Sequence, residues 1–124
     1  MSKTGDIEVP VDFELIVTIV EKNRGHLVLE TSMEAGAEGG TILRGRGTGI
    51  HEKAKIFGLS IDPEKEIVLT LVPVDISNEV FSTIIREANL DSPGRGLCFV
   101  VDVKKLGGVC HLMDYCTDSN VKFS

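Results

Sequence analysis

The stretch Glu14–Val20 reads ELIVTIV, and it returns later in the chain as EIVLTLV at Glu66–Val72. Both are short apolar runs rich in β-branched residues, which is typical of a strand that is covered on both faces. Each run is followed by apolar residues at helical spacing and then by a second apolar run. The chain therefore reads as two copies of one βαβ unit.

The boundaries of this repeat follow from the same pattern. Strands are predicted over 13–20, 40–46, 67–74 and 97–103, and a helix over 24–35 that Gly36 ends. A second helix is predicted with Ser77 as its N-cap and with Val80, Ile84, Ile85 and Ala88 as its apolar stripe.

A repeated βαβ unit in one short domain predicts an α+β fold of the ferredoxin-like βαββαβ type. In this sandwich an antiparallel four-stranded sheet carries two helices on one face. All four strands are rich in Val, Ile, Leu and Phe, so the face without helices must also be buried. We expect a homotrimer to bury it, in preference to a monomer.

The composition limits the classes of function. The 124 residues fit one domain, and the apolar runs are too short to span a bilayer. The first residues, MSKTGDIEVP, lack the basic-then-apolar order of a signal peptide, which predicts a cytoplasmic protein. A net charge of −6 argues against direct nucleic-acid binding, which needs a basic face.

The charge is unevenly placed. Over residues 41–58 the cations Arg44, Arg46, Lys53 and Lys55 face Glu52 alone, so this segment carries +3 and the rest of the chain −9. A basic, glycine-rich segment in an acidic protein favours an anionic ligand or partner, although a solvated loop gives the same pattern. The segment overlaps a loop of about twenty residues, where a hairpin usually needs two to five.

Two glycine-rich segments are candidate anion sites. In Gly39–Gly49 (GGTILRGRGTG), glycines let the backbone approach an anion while Arg44 and Arg46 supply charge. In Asp91–Phe99 (DSPGRGLCF), Arg95 stands between Gly94 and Gly96 and suits phosphate or carboxylate. The alternatives are a twisted strand end and a plain helix-to-strand turn. In an oligomer the two segments are predicted to form two walls of one cleft.

Cysteine and histidine residues offer a third candidate site. Cys98 falls within a predicted strand and is expected to be a small core residue. Cys110 and Cys116, with His111, suit a metal or a redox-sensitive pair, but their spacing matches no standard zinc pattern. The sequence shows no catalytic constellation, which predicts that the protein is not an enzyme.

The segments ELIVTIVEKNRG, EAGAEGGTILRGRGTG and EIVLTLVPVDISNEVFSTIIREANLDSPGRGLCFVVDV together resemble the nitrogen-regulatory PII signalling family over residues 13–109. Residues 1–12 are then an N-terminal extension and residues 110–124 a C-terminal tail. The resemblance implies a ferredoxin-like trimer with nucleotide or other small effectors in the clefts between subunits. It also implies that the long loop, residues 45–65, docks on target proteins.

Individual positions match the family's pattern. Thr41 resembles the family's strand-two threonine near the nucleotide, and Gly47 and Gly49 resemble the glycines at the base of its target-binding loop. Gly94 and Gly96 resemble those of its phosphate-contacting turn. Together with the three arginines selected above for their charge, these positions predict a ligand site formed by Thr41, Arg44, Arg46, Gly47, Gly49, Gly94, Arg95 and Gly96.

Other positions depart from the family's pattern. Leu97 stands where members carry a lysine, Gly108 and Cys110 stand where they carry two arginines, and His51 replaces a glutamine that helps to hold magnesium and 2-oxoglutarate. The modified tyrosine of the long loop is missing, so control by uridylylation is not expected. If phosphate binds, Arg44, Arg46 or Arg95 must supply the missing charge.

The sequence therefore predicts a regulator in nitrogen or carbon metabolism. It binds a small anionic effector, an adenine nucleotide (ATP, ADP or AMP), requires no cofactor, and acts on a protein target through the loop 45–65. The alternative is a trimeric metal-handling or redox-responsive protein of the divalent-cation-tolerance type, which would use His51, His111 and the cysteines.

Overall fold

A computed structural model describes residues 12–48, 54–56 and 59–108, with 54–56 and 59–61 described by their backbone only. Its elements, in chain order, are β1 (Phe13–Glu21), α1 (Gly25–Glu34), β2 (Thr41–Arg46), β3 (Ala54–Ile56), β4 (Leu59–Ile61), β5 (Glu64–Pro73), α2 (Val74–Glu87) and β6 (Gly96–Val103).

The main sheet has the strand order β2-β5-β1-β6, and every neighbouring pair is antiparallel. β1 and β2 are consequently parallel with β5 between them, and β5 and β6 are parallel with β1 between them. These are two interleaved split βαβ units, so the predicted ferredoxin-like fold is confirmed. Within the segment 45–65, predicted as a loop, β3 and β4 form a separate antiparallel pair.

The core lies between the sheet and its two helices. Even-numbered residues of β1 and β5 point towards the helices, because successive side chains of a strand alternate between faces. The apolar ones among them meet the apolar stripes of α1 and α2. The fully buried apolar residues are Ile16, Val20, Val28, Val68, Val72, Val80 and Ile84.

The end of α1 agrees with the sequence prediction. The helix stops at Glu34, and Gly36 adopts a φ of +123°, which a side chain would disfavour. The Ala37 N–H then donates to the Ser32 carbonyl at 2.9 Å, which satisfies one of the carbonyls left free at a helix end.

The start of α2 differs from the prediction. Ser77 is not the N-cap: α2 begins at Val74, directly after Pro73, and Ser77 is buried within the helix. The extended backbone of Pro73 suits the residue before a helix, and the Val74 N–H donates to the Asp12 carbonyl at 2.9 Å. This backbone acceptor replaces the expected serine cap. The predicted strand 67–74 accordingly ends at Pro73.

The other face of the sheet carries odd-numbered apolar residues, and no described helix packs on it. Across this face the strand register aligns the side chains in three rows. On β6, Leu97, Phe99 and Val101 are 52%, 43% and 44% exposed, so this apolar surface meets solvent in the single chain. The rows are Leu43–Ile67–Ile19–Leu97, Thr41–Leu69–Val17–Phe99 and Leu71–Leu15–Val101.

Candidate functional site

The two glycine-rich segments reach the same end of the sheet. Gly45 and Glu21 both pair with Lys65, and Gly96 pairs with Val20, the residue before Glu21. β2 and β6 are nevertheless the two edge strands, with β5 and β1 between them. At three strand spacings they are about 14 Å apart. The two predicted walls therefore do not meet within one chain.

Thr41 lies apart from the other predicted residues. It is the first residue of β2, whereas Arg46 is the last. It pairs with Leu69 and belongs to the middle row of the open apolar face, while the neighbouring Ile42 packs against the core. At about 3.3 Å per residue, Thr41 is about 17 Å from Arg46 along the strand. A ligand site that contains both Thr41 and Arg46 therefore needs a second protein surface beside this strand.

A groove of about 550 Å³ opens at this end of the sheet. Apart from Pro63, its lining is entirely charged. The Lys22 ammonium and the Glu64 carboxylate lie 3.1 Å apart, and the hydrogen bond and charge of Lys22 hold the pKa of Glu64 below its usual value. The lining residues are Glu21, Lys22, Arg46, Asp62, Pro63, Glu64 and Lys65.

Sequence reasoning selected only Arg46 from this lining. The signal that it missed is positional. Glu21-Lys22 follows the apolar run of β1, and Glu64-Lys65 precedes that of β5. In an antiparallel pair, the end of one strand lies beside the start of the other, which brings these four charged side chains to one edge.

Each predicted arginine has a partner within the chain. The Arg44 guanidinium lies 3.8 Å from the buried Glu66 carboxylate, and that of Arg95 lies 3.4 Å from the Glu21 carboxylate. Arg46 donates to the Asp62 carbonyl at 3.2 Å. Three cations thus lie at one end of the sheet, Arg44 and Arg46 on one edge and Arg95 on the other, and an anion that binds any of them must compete with its acceptor.

Two of the backbone N–H groups that were predicted to approach an anion are already hydrogen-bonded within the chain. The Gly47 N–H donates to the Pro63 carbonyl at 3.2 Å, and the Arg95 N–H donates to the Ser92 carbonyl at 3.3 Å. Gly94 and Gly96 have φ values of +79° and +134°, so both positions favour glycine for their backbone conformation. The Arg95 side chain in this turn is 41% exposed, and its guanidinium is a donor that an anion can reach.

Glu66 joins the candidate site to the fold. Its carboxylate accepts the N–H of Gly25, the first residue of α1, at 2.7 Å. Arg24 at the N-cap makes no side-chain capping bond, and the first turn of α1 holds no acidic residue. Glu66, from β5, therefore supplies the acceptor that a helix start requires.

A Glu66→Ala variant should lose about 2 kcal/mol of unfolding free energy, since it removes a buried, charge-assisted hydrogen bond and its helix-capping role. Urea denaturation at a fixed protein concentration measures this loss. Glu66→Gln is the matched control, because its amide oxygen retains an acceptor for Gly25, and it should lose clearly less. An unchanged midpoint in the alanine variant would contradict the capping role.

Cys98 is half-buried and packs against the core, as predicted. Burial raises the pKa of its thiol, and the 3.2 Å hydrogen bond with the Thr18 hydroxyl opposes this in part. Burial therefore favours the protonated form of this thiol. Gly49, His51, Cys110, His111 and Cys116 lie outside the described residues.

Comparison with known proteins agrees with the fold. The family model for nitrogen regulatory protein P-II matches residues 13–109. No curated protein matches the sequence. No described helix is both long and apolar enough to cross a bilayer.

Two solved structures are similar to this chain. B. subtilis GlnK has 16% sequence identity and a TM-score of 0.56, over 75% of this chain and 86% of its own. Arabidopsis thaliana PII bound to citrate has 26% identity and a TM-score of 0.55, over 73% of this chain and 74% of its own. With its two split βαβ units and a family match over most of its length, the chain belongs to the P-II family of signal-transduction regulators.

Proposed function

We propose that the protein is a homotrimeric regulator that binds an adenine nucleotide in the clefts between its subunits. It signals the bound state to a protein target, in nitrogen or carbon metabolism, through the segment 45–65. The observation that carries this proposal is the position of Arg46 and Arg95 at one end of the sheet but on opposite edges. Each chain thus contributes half of a cationic site on either side.

The open apolar face supports the trimer. Its three rows contain ten apolar residues and Thr41, and Leu43, Leu97, Phe99 and Val101 are each more than 40% exposed. An apolar surface of this extent on a soluble protein marks an interaction site. P-II family proteins are trimers, and three copies of this face packed around one axis would remove it from water.

Three-fold symmetry also explains the divided site. In a ring, one edge of each subunit meets the opposite edge of the next, because the contact is heterologous. The β2 end of one copy, with Arg46 and Gly47, then approaches the Gly94–Gly96 turn of its neighbour. The predicted two-walled cleft forms between chains, where within one chain the walls are about 14 Å apart.

The bonds at the base of the segment 45–65 provide a route to the target. The Thr48 hydroxyl donates to the Asp62 carboxylate at 2.7 Å, and Arg46 donates to the Asp62 carbonyl at 3.2 Å. These contacts tie the start of the segment to its end. A phosphate that engages Arg46 competes with Asp62, and so has different affinities for the closed and open arrangements of this base.

A small anion is the effector class that the charges favour. The similar Arabidopsis structure is described as bound to citrate, a multiply charged anion. Among such anions we propose an adenine nucleotide, since arginine guanidinium groups bind phosphate with paired hydrogen bonds. Nucleotides are abundant in the cytoplasm, and we propose that location for the protein.

Replacing Arg95 by alanine should weaken ATP binding roughly ten- to a hundredfold, because it removes a charge-assisted hydrogen bond of about 1.5–3 kcal/mol. Isothermal titration calorimetry at constant salt measures the change. Arg86→Ala is the matched control: Arg86 is an exposed arginine on α2 that is paired with Glu87 and does not line the groove. Its ATP affinity should equal that of the wild type.

Two results would contradict the proposed site. If ATP binds equally to the wild type and to the Arg95→Ala variant, the nucleotide site lies elsewhere. If ATP binds to neither protein, the effector is not a nucleotide. Circular dichroism should show an unchanged fold in the Arg95 variant, since a half-exposed turn arginine adds little packing.

A further inference from the structure

Arg95 is held by a carboxylate of its own chain. Its guanidinium lies 3.4 Å from Glu21 Oε1, and the two side chains are 41% and 45% exposed. At this exposure the pair is weak enough to be broken by a competing ligand. It is also close enough to neutralise part of the charge that an anion would otherwise meet.

Glu21 occupies a central position at the end of the sheet where the two glycine-rich segments lie. It is the last residue of β1, an inner strand, and it faces Lys65 of β5 across the register. On one side it contacts Arg95, which precedes β6, and on the other it lines the groove that Arg46 also lines. Its negative charge therefore acts on both cationic parts of the site.

We infer that Glu21 is a built-in competitor for Arg95 that sets how much negative charge an effector must carry. In the free chain the Glu21 carboxylate is paired with the Arg95 guanidinium. A ligand displaces it only if its own charge compensates for the lost ion pair and for the repulsion by Glu21. A polyphosphate meets this requirement and an uncharged nucleoside does not. This inference rests on the proposed nucleotide site and identifies the residue that makes it selective.

The test is the Glu21→Gln variant, which keeps the shape of the side chain and removes its charge. We expect roughly three- to tenfold tighter ATP binding at low salt, from loss of the competing ion pair and of the repulsion. The gain should shrink at high salt, because exposed charges are screened. Adenosine, titrated as the uncharged probe, should show no gain.

A double-mutant cycle ties the effect to Arg95. In an Arg95→Ala background the Glu21→Gln gain should fall clearly below that in the wild type, since only the repulsion remains to be relieved. Glu87→Gln is the matched control: it removes a similarly exposed carboxylate, paired with Arg86 at 3.5 Å on α2. Its ATP affinity should be unchanged.

A measurement without nucleotide separates this inference from the proposed function. Side-chain ¹⁵N NMR of the arginines should show a changed Arg95 guanidinium signal in Glu21→Gln and an unchanged one in Glu87→Gln. If that signal changes, and ATP binds through Arg95 without becoming tighter, the competitor role is wrong and the nucleotide site stands. An unchanged signal would overturn the ion pair itself. If no variant binds ATP, the proposed site fails and the inference with it.

Discussion

A lysine in place of Val17 should convert the proposed trimer into monomers. Val17 lies in the middle row of the open apolar face, on the inner strand β1, between Leu69 and Phe99. In the proposed trimer this position is enclosed on all sides. A buried ammonium without a partner destabilises the assembly by several kcal/mol per subunit, and a trimer would bury three of them.

The same substitution should leave the single chain folded. Val17 points away from the helices, whereas the core is formed by the even-numbered neighbours Ile16 and Thr18. In a monomer the lysine can extend into water. Light scattering at micromolar concentration should therefore report a monomer, with the circular dichroism spectrum of a folded protein.

The matched control is Leu27→Lys, which makes the same type of change on an exposed position of α1, outside the apolar face. We expect this variant to remain a trimer. A trimeric Val17→Lys variant would mean that the apolar face is not the subunit interface. A monomeric wild type would also remove the cleft between chains, on which the nucleotide proposal depends.

The sequence was sufficient for the architecture because the architecture repeats. ELIVTIV and EIVLTLV became β1 and β5, the two inner strands, and Gly36 ended α1 as predicted. Ser77 misled the prediction, since its side chain suits an N-cap while a backbone acceptor at Asp12 made that cap unnecessary. Local propensity does not include such distant partners.

The charged contacts of the site could not be predicted from the sequence either, because they too join residues that are distant along the chain. Glu21 and Arg95 are neighbours only because β1 and β6 pair in one particular register, which sets Val20 against Gly96. A shift of one residue would turn the side chains to the other face. The glycines and arginines were recognisable as candidates, but the carboxylates that hold those arginines were not.

Gly96→Ala should destabilise the fold by about 3 kcal/mol or more. A Cβ at this position would clash with the Ile19 carbonyl oxygen and would lie 3.2 Å from the Val20 Cα. Both are backbone atoms of the adjacent strand β1, so no side chain can move aside. The φ of +134° adds strain for any L-residue.

Gly47→Ala is the matched control, because it adds the same methyl group to the other glycine segment. Apart from its chain neighbours, no atom of the described residues lies within 4 Å of the Cβ that it would create, so its unfolding free energy should stay within about 0.5 kcal/mol of the wild type. Urea denaturation of both variants at equal concentration makes the comparison. If Gly96→Ala unfolds at the wild-type midpoint, β6 does not approach β1 as closely as this structure shows.

If Gly96→Ala unfolds at a lower urea concentration, Gly96 is needed for the pairing of β6 with β1. Weaker nucleotide binding in that variant would then reflect lost structure. The role of this turn in binding is then tested at Arg95, where the side chain can be removed without disturbing the strands.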